Sequence, residues 1–442
     1  IDEQSTVPAV PSYLNSTYFD EIYHARTAYE HLHGTVPYET SHPPLGKLIM
    51  GLGVMLFGMT PFGWRFTGAL AGVLMIPVIY LIIRQLTKKT KFSVIGALLI
   101  ALDCMHLTQT QIATIDSYPV LFIILSWFFM LRFVQTDIRK TTIRKILPDL
   151  AMSGLFMGLG IASKWIGIYS GAGLAVMYFW HGIRCIRCTR NGEEKKAVFN
   201  KFVRLCLSCI LFFVLIPAVI YLLCYIPYFA YDKSIRDLPT FLERVIDSQI
   251  GMFNYHSQPG LGMDHLFYSP WYEWPIIKKP MYYASGNYIS TNDYDSAIFS
   301  FGNPAVWYPA LPAVAYCVYY WCSERFRRLE NNRVAIRLTN PGTDIRISFL
   351  LIGLLAQYLP WVLVPRGTYI YHYFASTPFL IFAIVLLLNR IDEKQPKIAK
   401  AISVVWALAA LAFFILLFPY ASGIFVPTEW LEIGKSLLRI WY

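Results

Sequence analysis

An all-α integral membrane protein is the fold class this sequence predicts, on three observations. Apolar residues make up 56% of the 442 and charged residues only 15%, against roughly 25% charged in soluble domains. The apolar residues gather in ten blocks of near-spanning length, a helix needing about 20 residues to cross the hydrocarbon core. Lys and Arg gather in alternate loops between those blocks, as they do on the cytoplasmic side of polytopic proteins.

From the N-terminus the expected spans are Arg65–Ile83, Phe92–Leu107, Tyr118–Phe133, Leu150–Ser163, Trp165–Trp180, Phe202–Phe229, Ala305–Trp321, Ile347–Val364, Thr368–Leu388 and Ala401–Tyr420. The loops Arg84–Lys91, Arg132–Lys145, Arg184–Arg204, Arg325–Arg346 and Arg390–Lys400 hold 26 of the 38 basic residues. These loops are placed inside by the positive-inside rule. Five regions result: an outward segment 1–64, a transmembrane core 65–229, an outward loop 230–304, C-terminal transmembrane helices 305–420 and an outward tail 421–442. The net charge of +11 is then a topology signal and calls for no nucleic-acid partner. An outward start with no apolar segment before it leads to the expectation of one further transmembrane helix ahead of residue 1. No internal repeat or low-complexity tract is evident.

Cys185, Cys188, Cys206 and Cys209 have a zinc-like spacing. The second pair falls inside the apolar run LCLSCILFF, where a closed tetrahedral site would straddle the membrane interface. Ordinary membrane cysteines are the expectation, with the first pair a candidate for acylation, and neither a metal nor a cofactor is expected.

The unusual residues collect on the outer side. From Asn15 the pattern reads as an interfacial helix, with Ser16 or Thr17 to cap it, apolar Phe19, Ile22, Tyr23, Tyr29 and Leu32 near helical spacing, and Gly34 to end it. Its polar face carries Asp20, His24 and Arg26. Pro43 and Pro44 can start a second interfacial helix, Leu45–Phe57, too short to span. Around this shelf the spans present Arg65, Asp103, Asp116, Lys164, Arg366 and His372 at one depth. Any one could be an interfacial anchor whose long side chain reaches the headgroups, but six together favour a site.

YFDEIYH, SHPPLGKLIMG, FGWRFTGAL, TQIATIDSY, ASKWIG, FNYHSQ, SPWYEWP, FGNPAVWY and YIYHYF follow in the order and spacing of the protein O-mannosyltransferases. The sequence thus resembles that family of membrane GT-C glycosyltransferases, which use polyprenyl-phosphate sugars. The resemblance runs from about Tyr18 to the C-terminus and implies a GT-C fold of about ten transmembrane helices here, eleven with the helix the family carries just before its Asp-Glu pair. Two departures stand out: Gln111 occupies a position usually Arg, and the 230–304 loop has no room for the β-trefoil domain of the eukaryotic members. The resemblance is therefore to the bacterial type.

The implied reaction fits the residues. A polyprenyl monophosphate leaves without needing a proton, so displacement at the sugar's anomeric carbon requires one base on the acceptor hydroxyl and cations on the phosphate. Neighbouring helical carboxylates point about 100° apart, unlike the facing pair of a glycosidase. By similarity to the family's catalytic aspartate the base is Asp20, with Glu21 orienting a neighbour or the sugar, or else serving as a helix-start carboxylate. Arg65 and Lys164 are the phosphate candidates, followed by Arg366 and His372. His42 and Asp116 support the site, and His256, Glu273 and Trp274 are candidates for the acceptor side, with packing at the membrane interface an equal reading for the tryptophans.

The expected activity is inverting transfer of mannose, or a similar hexose, from a polyprenyl-phosphate carrier to Ser or Thr hydroxyls of exported proteins, at the outer face of the cell membrane. Transfer to a cell-envelope lipid or glycan, as by aminoarabinose transferases, is the other enzymatic reading. A lipid or solute transporter would place its charges near the midplane in repeated halves, and neither pattern is present.

Overall fold

A computed structural model describes residues 8–286, 289–291, 293–328, 334–336 and 344–438. The chain folds into helices in the order α1 (Glu21–Leu32), α2 (Leu45–Phe57), α3 (Pro61–Thr87), α4 (Thr90–Ala101), α5 (Cys104–Gln111), α6 (Ser117–Gln135), α7 (Ile143–Ser163), α8 (Ile166–Arg187) and α9 (Gly192–Ile210). After a π-turn at Leu211–Leu215 come α10 (Ile216–Leu223), α11 (Tyr228–Tyr231), α12 (Leu238–Ser257), α13 (Pro304–Arg325), α14 (Ile345–Tyr358), α15 (Thr377–Lys394), α16 (Pro396–Ser422) and α17 (Thr428–Leu438). Between α12 and α13, strands Met281–Ser285 and Ala297–Ser300 form an antiparallel pair.

All ten expected apolar segments are largely helical, but a count of ten spans is not confirmed. Among the described residues seven helices are long and apolar enough to cross a membrane, and α4 with α5, bent by 57°, adds an eighth. The segments 165–180 and 305–321 lie in α8 and α13, where Tyr, Trp, His and Pro interrupt the aliphatic run and dilute the apolar character. The bend falls at Asp103, whose side chain accepts the His106 amide at 3.1 Å and caps α5.

Segment Ile370–Lys394 is the hub, 83% buried, while Gly192–Tyr231 and α16 are each only 17% buried. Aliphatic faces left uncovered on such long helices are surfaces for lipid. At the other extreme, α2 crosses α3 so closely that a Cβ on Gly53 would stand 2.3 Å from the Gly63 carbonyl. That contact ties the outward segment to the first span.

The second interfacial helix has the expected bounds, because Pro44 and Gly58 punctuate it. The first does not reach back to Asn15. Phe19 adopts φ +51°, a left-handed conformation that a bulky residue takes at a cost, and this reverses the chain just before α1. Asp20 therefore sits at the helix's N-terminal boundary, not one turn inside it.

Candidate active site

Two neighbouring carboxylates at the start of α1 have opposite fates. Glu21 is fully buried and accepts from Arg65 Nε and Nη2 at 2.7 Å each, from the Ala113 amide at 2.8 Å and from the Tyr18 amide at 3.2 Å. Arg65 also donates to the Ser16 carbonyl at 3.0 Å and lies over the Tyr18 ring. This fork-on-fork pair binds α1 to α3 and to the α5–α6 link. Asp20, by contrast, has no side-chain hydrogen bond or ion pair among the described residues. Burial lifts its carboxyl to about 6, against the pull of Lys164 and with Asp116 and Glu39 adding to the rise. A carboxylate left unpaired with its pKa near working pH is suited to take a proton.

Lys164, in the break between α7 and α8, donates to Asp116 Oδ1 at 2.6 Å and lies 6.0 Å from the Tyr371 ring centroid. Asp116 occupies the N-cap position of α6. The Tyr371 ring touches Phe19 edge-on and stacks on His372, so the strained residue before Asp20 is packed against the opposite wall of the site.

Near α1 is a third ion pair, which the sequence reading missed. Lys47, 1% exposed, bonds the Glu39 carboxylate and also donates to the Glu39 and His42 carbonyls at 2.9 and 3.0 Å. Burial alone would raise Glu39, but Lys47 and His24 outweigh it and hold the carboxyl down at about 2. The available signal was a lone cation in the apolar run LGKLIMG. The pair clamps the 39–47 link, and His42 stacks on His256 at 5.0 Å. The His256 ring nitrogen lies 2.7 Å from the Ser41 carbonyl. Burial, reinforced by nearby cations, lowers His42 well below its ordinary range and His256 to about 4. Both rings are neutral near pH 7 and act through hydrogen bonds.

A cavity of about 280 Å³ opens beside these groups. Its lining mixes polar His42, Lys164, His256, Arg366 and His372 with apolar Ile166, Tyr169, Pro360, Trp361, Leu363 and Val364. Arg366 lines this cavity; among the described residues its buried Nε has no partner, and its Nη1 makes a long bond of 3.5 Å to the Gly367 carbonyl. An orphaned guanidinium N–H beside a lysine is a donor set for an anion.

The structure thus brings together Asp20, Asp116, Lys164, His42, His256, Arg366 and His372. Arg65, expected on the phosphate, is engaged by Glu21 instead. Trp274 lies under the site with no exposed surface, stacked on His372 and edge-on to Trp361, and Glu273 is ion-paired to Lys278. Neither lines the cavity. Gln111 donates to the Ala421 carbonyl at the end of α16 and so fills its position without a charge. Cys185, Cys188, Cys206 and Cys209 are free thiols, and among the described residues no group of three His, Cys, Asp or Glu could hold a metal ion.

Comparison with known proteins bears on the family and the fold. Residues 58–231 match the family model "dolichyl-phosphate-mannose-protein mannosyltransferase" and residues 241–439 the "C-terminal four TMM region of protein-O-mannosyltransferase"; neither reaches Asp20. A polyprenol-phosphate-mannose–protein mannosyltransferase of Mycolicibacterium smegmatis is 26% identical over 431 residues, covering 87% of this chain and 78% of the relative. One from Mycobacterium tuberculosis is 24% identical, covering 87% and 77%. Among solved structures, the Saccharomyces cerevisiae Pmt1–Pmt2 complex bound to the sugar donor superposes with a TM-score of 0.78 at 12% identity, covering 98% of this chain and 90% of that one. ArnT from Cupriavidus metallidurans bound to undecaprenyl phosphate gives 0.54 at 13% identity, covering 96% and 69%. With its helical GT-C architecture and two adjoining family matches that span most of its length, the chain belongs to the protein O-mannosyltransferase family.

Proposed function

We infer that the protein is an inverting glycosyltransferase that moves mannose from a polyprenyl-phosphate carrier to Ser or Thr hydroxyls of exported proteins at the outer face of the membrane. The observation that carries this reading is a cavity lined both by the cations Lys164 and Arg366 and by apolar side chains of α8 and the turn Leu359–Leu363, with Asp20 near enough for Lys164 to pull on its carboxyl. A phosphate head fits the cations, and an isoprenoid tail gains by lying among the apolar side chains. The names of the bacterial relatives favour a protein acceptor over an envelope lipid.

In the reaction the Asp20 carboxylate accepts the acceptor's hydroxyl proton as that oxygen bonds to the anomeric carbon. The bond from this carbon to the phosphate oxygen breaks on the opposite face, and its electrons leave with the carrier monophosphate. Arg366 and Lys164 stabilise the growing phosphate charge, and neutral His42 and His256 fill the polar wall without competing for it. Arg65 moves from the phosphate to a bracing role, since two of its nitrogens are engaged by Glu21.

The direct test is incubation of purified protein with polyprenyl-phosphate mannose and a Ser/Thr-rich peptide. Mannosylated peptide is expected, and turnover with a nucleotide sugar alone would overturn the reading. The pH profile offers another check. A base raised to about 6 works only when deprotonated, so kcat/KM should be flat above pH 7. It should fall through pH 6, to about a tenth of its plateau at pH 5. In Asp20→Asn this limb should vanish from whatever rate remains.

Arg366→Ala should raise the KM for the carrier about tenfold or more, because the phosphate is charged before reaction as well as after it. Measured donor binding should weaken in parallel. Unchanged donor affinity in the folded variant would remove Arg366 from the phosphate site.

A further inference from the structure

Helix α12 follows the outer end of the segment Gly192–Tyr231 and reaches the cavity with its last turn, where Phe253, His256 and Ser257 line the wall. It is begun by Asp237 and Thr240 in a reciprocal capping box, so its start is well defined. At about 100° per residue its side chains sort into three stripes. Phe241, Val245 and Met252 are buried against the protein. The next stripe, Ile246, Ile250 and Phe253, is large, apolar and exposed, at 57%, 52% and 61%. The third, with Glu243, Asp247 and Asn254, is exposed and polar.

A solvated helix has no reason for the middle stripe, whereas a helix at a membrane surface needs it. Two further observations set the depth. The buried stripe rests on Tyr221, Tyr225, Tyr228 and Tyr231, a tyrosine cluster of the kind that marks the boundary between hydrocarbon and headgroups. Phe241 stacks on Phe229, and Phe229 and Ile226 are themselves exposed at the end of the little-buried, membrane-length segment Gly192–Tyr231. Exposed apolar side chains thus occur on both the end of that segment and the α12 packed against it. The same cavity is also lined by Leu363, 84% exposed at the end of the apolar segment Ile345–Leu363.

We propose that α12 lies in the outer membrane interface with Ile246, Ile250 and Phe253 among lipid acyl chains, and that its C-terminal turn and Leu363 form the two lips through which the lipid-linked donor enters the cavity sideways. The placement stands on the helix itself; the entry role rests on the donor reading above. A polyprenyl chain could then slide from bilayer to cavity past Phe253 without its tail crossing water.

Placement is tested with an environment-sensitive fluorescent amino acid encoded in place of Ile250 and, separately, of Asp247, in phosphatidylcholine vesicles brominated on the acyl chains. Strong quenching at 250 and little at 247 is expected. Equal quenching, or none at 250 because water or another protein covers it, overturns the placement. Entry is tested with the double variant Ile246→Glu/Ile250→Glu in unbrominated vesicles, comparing long-chain polyprenyl-phosphate mannose with the water-soluble citronellyl-phosphate mannose. The KM for the long donor should rise about tenfold, with kcat and the short donor's KM within about twofold of wild type. Equal losses with both donors, or no loss with either, overturn the entry role. Wild-type protein inactive with both donors would mean instead that the donor reading itself had failed.

Discussion

Asp20→Asn should lower kcat by about 10² to 10⁴-fold, the usual worth of a positioned general base, while donor binding stays close to wild type. The substitution keeps the shape of the side chain and removes only its capacity to take a proton. Because Lys164 is already bonded to Asp116, loss of the Asp20 charge does not strand Lys164. An interaction realised mainly in the transition state should show in kcat and spare ground-state affinity. The measurement is single-turnover transfer to a peptide alongside equilibrium binding of the lipid donor. Near-normal transfer in a folded preparation would move the base to Asp116, the other carboxylate near Lys164. Glu21 is not a comparable substitute, because both its oxygens are filled by Arg65 and the Ala113 amide.

Such a distinction between two adjacent carboxylates is beyond what a sequence alone displays. What was legible there followed from local chemistry. Apolar blocks of the right length became helices because an unsatisfied backbone has no alternative in hydrocarbon. Helix α2 kept its expected bounds because Pro and Gly punctuate it, and Asp116 and Lys164 stood out as charges at the ends of apolar runs. What was not legible is who pairs with whom. Arg65 and Arg366 look equivalent as cations at the outer ends of apolar runs, yet one meets a carboxylate 44 positions away and the other has a buried N–H with no partner among the described residues. The left-handed turn at Phe19 was equally hidden, since no Gly or Asn announces it. The tryptophan motif SPWYEWP left two readings open, and Trp274, buried and stacked on His372, matches the packing one, while Glu273 is paired with Lys278.

Removing either partner of the Glu21–Arg65 pair should be the costliest single change to stability. Breaking a buried ion pair typically costs about 3–5 kcal/mol, because the remaining charge is stranded away from water, and Glu21 is fully buried. Both Glu21→Ala and Arg65→Ala should therefore unfold at clearly lower temperature in detergent or nanodiscs. Transfer should fall too, since Asp20 is held in place by the residue beside it. The double variant Glu21→Ala/Arg65→Ala decides between a brace and a phosphate ligand. If the pair is chiefly a brace, the double variant is no less stable than either single one, the non-additivity expected of directly bonded residues. All three variants should then bind the donor alike. If Arg65 instead serves mainly on the phosphate, Arg65→Ala should weaken donor binding well beyond Glu21→Ala while unfolding near the wild-type temperature. The two engaged nitrogens, the amide of Ala113 on the same carboxylate and the Tyr18 ring beneath the guanidinium make the first outcome the expected one.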